Sequence, residues 1–167
     1  FPTRRSSDLY SSWLRRLHKT AIARFDQLGF PKARNEDWKF TPVAPLTRVP
    51  FQPAAAGTIE KRLPRPFTLP DCFELVFVNA RYAPELSSAA GLPAGLVASS
   101  LADAVAKHAD QIEPQLGRYA RCEEQVFTAL NTAFVHDGAF VSIPKGSVLE
   151  RPIHLLFLST RSVEPTV

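Results

Sequence analysis

The side chains of this 167-residue sequence best suited to metal or nucleophile chemistry are four histidines and two cysteines. His18, His108, His136 and His154 are scattered, and none belongs to a close His-x-His pair or a His-Glu-x-x-His helix. If the strands that carry them are neighbours, His136 and His154 can approach each other, and Asp137 or Glu150 can add a carboxylate. Imidazole and carboxylate together suit a divalent first-row metal. Histidines so dispersed more commonly serve structural or surface roles. Cys72 and Cys122 stand fifty residues apart, whereas an iron–sulfur cluster takes four thiolates, often closely spaced. They cannot build a disulfide framework and read as small buried side chains. Cys122 is flanked by Glu123 and Glu124, poor neighbours for an anionic nucleophile, although Arg118 and Arg121 offset them. The sequence has no Walker A loop, dinucleotide fingerprint or nucleophile elbow. It therefore assigns no catalytic, cofactor-binding or metal-binding residue.

The elements that would position these groups follow from periodicity and punctuation. Ser11 or Ser12 can cap a helix that runs to Leu28 and stops at Gly29. Leu14, Leu17, Ala21, Phe25 and Leu28 mark its apolar stripe, and Arg15, Arg16, Lys19 and Arg24 lie mostly off it. Asn35 then caps a short turn, with Glu36 and Asp37 where a helix dipole favours negative charge. Trp38 and Phe40 are expected to anchor this segment to the core before Pro42 ends it. From Pro42 to Pro70 there are seven prolines, which predicts a long irregular connection.

Phe73–Asn79 is the first strong strand, and Arg81-Tyr82-Ala83 is its return after an Asn79-Ala80 turn. A strand over Leu96–Ser99 leads to Ser100 and Asp103, which resemble a capping box for a helix over Leu101–Ile112. Pro114 begins a further turn that Gly117 ends. A second helix spans Glu123–Phe134, with Phe127, Leu130 and Phe134 on one face and Val126 and Ala133 beside them. After Asp137-Gly138 come strands at Ala139–Ile143, Val148-Leu149 and Pro152–Ser159, separated by tight turns. Strands without intervening helices fit a sandwich, a barrel or the rungs of a β-helix.

Charge and composition exclude several function classes. The net charge is +4, but six basic residues against Asp8 alone put +5 on the first 24 residues and leave −1 on the rest. A nucleic-acid binder would spread basic and aromatic residues over its folded body. The amphipathic first helix is expected to pack on protein, its basic side facing water. The apolar run Leu155–Leu158, which no other run exceeds, is too short to span a bilayer. No secretory signal is visible, so the expected setting is cytoplasmic. The chain starts at Phe1, contains no Met, and stops just after a strand, which suggests a fragment. Residues 1–9 resemble a translated sequencing adapter.

From Gly29 to Ser159 the sequence resembles the SufD family. Gly29-Phe30-Pro31, Arg34-Asn35-Glu36 and Trp38-Lys39-Phe40-Thr41 match its early motif. Leu75-Val76-Phe77-Val78-Asn79 resembles its first core strand, with Ala80 where the family usually has Gly. Further matches are Leu86-Ser87, Leu92-Pro93-Ala94-Gly95, Ala129-Leu130-Asn131-Thr132-Ala133, Asp137-Gly138-Ala139-Phe140 and Pro144-Lys145-Gly146. The last block, Leu149-Glu150-Arg151-Pro152-Ile153-His154-Leu155-Leu156-Phe157, is SufD-like rather than SufB-like.

The resemblance implies an α+β chain: a small N-terminal helical domain followed by the first rungs of a right-handed parallel β-helix. Residues 10–70 would be a helical segment and proline-rich linker, 71–135 a mixed strand and helix segment, and 136–167 the start of the β-helix. It further implies a non-catalytic scaffold subunit of the SUF system that works with SufB and the SufC ATPase. Iron or sulfur ligands are expected beyond Val167, and no cofactor is expected in these residues. The alternatives are a SufB-like paralogue and a cupin-like metal-binding protein using His136 and His154.

Overall fold

In the computed structural model, residues 12–52, 57, 59 and 69–160 are described. Residues 1–9, Ser11, and most of the stretch between Pro53 and Thr68 lie outside them, as does part of the expected proline-rich connection. The chain divides into two units, Phe1–Pro50 with Val105–Val135, and Phe51–Ala104 with His136–Val167.

Helix α1 spans Ser12–Leu28 and closes where expected: Gly29 adopts φ +60° and its N–H donates to the Phe25 carbonyl at 2.8 Å. Its buried face is Trp13, Leu14 and Ala21, with Leu17, Phe25 and Leu28 half-buried, so Trp13 joins the expected stripe. Helix α4, Val126–Phe134, packs against α1. It starts later than expected, because Glu123 and Glu124 remain in the preceding turn. Its buried side chains are Val126, Ala129 and Thr132, while Phe134 is 59% exposed. This corrects the expected face. Apolar residues almost encircle α4, so spacing alone could not say which side turns inward.

Helices α2 (Leu101–Lys107) and α3 (Ala109–Ile112) replace the single helix expected over Leu101–Ile112. The break is at His108, whose φ of −133° and ψ of 35° leave the helical region. No Gly or Pro announces it. Further on, Gly117 adopts φ +79° and ends the turn, as its position suggests.

In the second unit, β1 (Phe73–Val78) is buried at every residue. It pairs antiparallel with β2 (Arg81–Tyr82) and parallel with β5 (Ile153–Leu158), giving the order β2-β1-β5. The β1–β2 turn is a two-residue hairpin with Asn79 at φ +50° and Ala80 at φ +60°. Ala80 thus makes the tight turn despite the missing glycine, in a left-handed conformation that costs a non-Gly residue roughly 1–2 kcal/mol.

A separate two-stranded antiparallel sheet pairs β3 (Val97–Ser100) with β4 (Ala139–Ser142). The strand expected at Val148-Leu149 does not form. The Pro144–Ser147 turn, closed by the Ser147 N–H on the Pro144 carbonyl, runs into irregular chain, and Val148 is 84% exposed. The architecture is α+β with one parallel strand pair.

Candidate functional site

In the second unit, polar side chains collect at the two ends of the β1–β5 pair and at Asp137. At the strands' starts, the Arg151 guanidinium forms an ion pair with Asp71 at 2.8 Å and donates a hydrogen bond to the Cys72 carbonyl at 3.1 Å. It also lies 4.3 Å from the centre of the Phe73 ring. Asp71 is well exposed, so the ion pair itself contributes at most about 1 kcal/mol. The backbone contact and the ring stacking are what hold Arg151 in place. At the opposite end, Asn79 donates through Nδ2 to Thr160 Oγ1 at 2.8 Å and accepts from the Thr160 N–H at 2.9 Å. Gly57 approaches this pair so closely that a Cβ there would sit 2.7 Å from Asn79 Nδ2.

Asp137 is the most connected of these groups. Its carboxylate accepts from the N–H groups of Tyr82 (2.9 Å), Ala102 (3.2 Å) and Gly138 (2.8 Å). One side chain thereby ties β2, the first turn of α2 and the entry to β4. The Leu101 N–H reinforces it by donating to the Gly138 carbonyl at 2.7 Å. The expected cap is present as well: the Asp103 N–H donates to Ser100 Oγ at 3.0 Å.

These positions decide the fate of the groups singled out by type. Asp137 is engaged by backbone donors rather than displayed for a metal. His136 precedes β4 and is exposed, whereas His154 lies in β5, opposite Glu74 of β1 in a different sheet. Glu74 is only 7% exposed, and His154 Nδ1 is buried without a hydrogen-bond partner. Among the described residues, no group of three or more His, Cys, Asp or Glu side chains converges as a metal site. Both cysteines are free. Cys72 is buried, its thiol directed at the Leu69 carbonyl at 3.2 Å, but Cys122 is partly exposed, contrary to expectation.

The early motif occupies the first unit. Asn35 closes its own turn by accepting the Lys32 N–H on Oδ1 at 2.9 Å. Trp38 packs on Phe127 with ring centres 5.0 Å apart, and Phe30 joins them from 6.1 Å. Trp38 is therefore an anchor, as expected. Phe40 is not: it is 88% exposed, with Lys39 Nζ 5.4 Å from its ring centre. Between the end of α1, this motif and the start of α4 lies a cleft of about 320 Å³. Phe30 and Trp38 are among its lining, with Lys32, Arg34, Glu36 and Glu124 as charges of both signs.

Reasoning from residue type missed Asp137, Arg151 and Asn79 as structural ties. The available signal was their position beside strand ends and turns, where unpaired backbone groups collect. Among the described residues no helix is long and apolar enough to cross a membrane.

Residues 5–155 match the family described as the SufBD protein N-terminal region. Over 141 residues the chain is 36% identical to an iron-sulfur cluster assembly SufBD family protein of Synechocystis sp., which covers 83% of this chain and 30% of that protein. An iron-sulfur cluster assembly SufBD family protein of Arabidopsis thaliana is 35% identical over 72 residues, 43% of this chain and 15% of that protein. The chain thus spans no more than about a third of the length of the curated relatives it matches.

Proposed function

The chain belongs to the SufBD family, and from that premise we propose that it acts in iron–sulfur cluster assembly as the N-terminal part of a SufD-type scaffold subunit. The family match over residues 5–155 carries the proposal. The choice of SufD over SufB is supported by Glu150-Arg151-Pro152-Ile153-His154-Leu155-Leu156, most of which forms β5. Its role is non-catalytic: it supplies a surface on which a SufB-type paralogue and a SufC-type ATPase are held. The nascent cluster is the cargo of that complex rather than a cofactor of these residues, and the setting is cytoplasmic.

The parallel β1–β5 pair is the natural beginning of a right-handed parallel β-helix, with everything between Asn79 and Pro152 inserted as one long connection. A parallel pair needs a crossover, and a strand apolar on both faces, such as β5, suits a sheet covered on both sides. Affinity purification of the tagged full-length protein from its own cells tests the function. Co-purification of a SufB-type protein and the ATPase is expected. A stable monomer isolated with neither would overturn the proposal.

A further inference from the structure

We draw no further inference here: the strongest candidate, the cleft between the end of α1, the early motif and the start of α4, sets Lys32 and Arg34 against Glu36, Asp37 and Glu124 beside a helix N-terminus, and nothing in the structure shows what fills it.

Discussion

The two units hold themselves together by different means. The first is built by packing. Its helices α1 and α4 satisfy most of their backbone internally, so their side chains need only fill space: Ala21 and Ala129 are fully buried, and Phe25, Phe30, Phe127 and Trp38 form a chain of ring contacts. Its polar contacts lie on the surface, as with Arg24 donating to the Glu123 carbonyl and Arg16 lying 3.9 Å from Glu113.

The second unit joins short strands from distant parts of the chain. A six-residue strand leaves unpaired backbone groups at each end, and closing a long loop costs chain entropy that packing alone does not offset. Side chains take up these orphans. Asp137 serves three of them, Asn79 and Thr160 close one end of the parallel pair, and Arg151 closes the other. Ser87 accepts from the Val76 N–H at 2.9 Å and donates to the Ala83 carbonyl at 2.8 Å. A helical unit therefore tolerates change at its polar positions, whereas a unit of short strands depends on them.

The strongest challenge to this contrast is the core of the sheet itself. Phe77→Ala empties a fully buried site and should cost about 3–5 kcal/mol in denaturant unfolding. A loss below 1 kcal/mol would mean that packing matters little to the strands. Next in size is Asp137→Ala, which strands three backbone donors and should cost about 2–4 kcal/mol. Asp137→Asn, keeping one acceptor oxygen, should lose less. If Asp137→Ala costs no more than the surface change Arg24→Ala, expected within about 0.5 kcal/mol, the division between packed and pinned units fails.

A smaller effect of opposite sign sharpens the picture at the hairpin. Ala80→Gly relieves the left-handed strain at φ +60° and should raise stability by up to about 1 kcal/mol in thermal unfolding, after the entropy lost by adding a glycine. Unchanged or lowered stability would show that the turn stores no strain at Ala80.

Much of the element order was legible in residue spacing. Gly29 ended α1, the six residues Phe73–Val78 formed a strand, and Ser100 capped α2, because each depends on neighbours within one or two turns of chain. Motifs in order also identified the family without any fold knowledge. What spacing could not supply was partnership. Nothing local distinguishes Phe40, left in solvent, from Trp38, packed on Phe127 from almost ninety residues away. The break at His108 and the inward face of α4 are likewise imposed by neighbours distant in sequence.

The same division holds for the residues with chemistry in them. The sequence by itself determined that four histidines and two cysteines lie far apart along the chain, with no close pair among them. Only the tertiary structure decided what the polar groups do instead. Asp137, which reads from its type as a candidate metal ligand, spends its oxygens on backbone N–H groups from three segments. His154, in a motif strand, faces Glu74 rather than His136. The reason is physical: a side chain's chemistry is set by its residue type, but its partner is set by which strands the chain brings side by side, and that is a property of the whole fold.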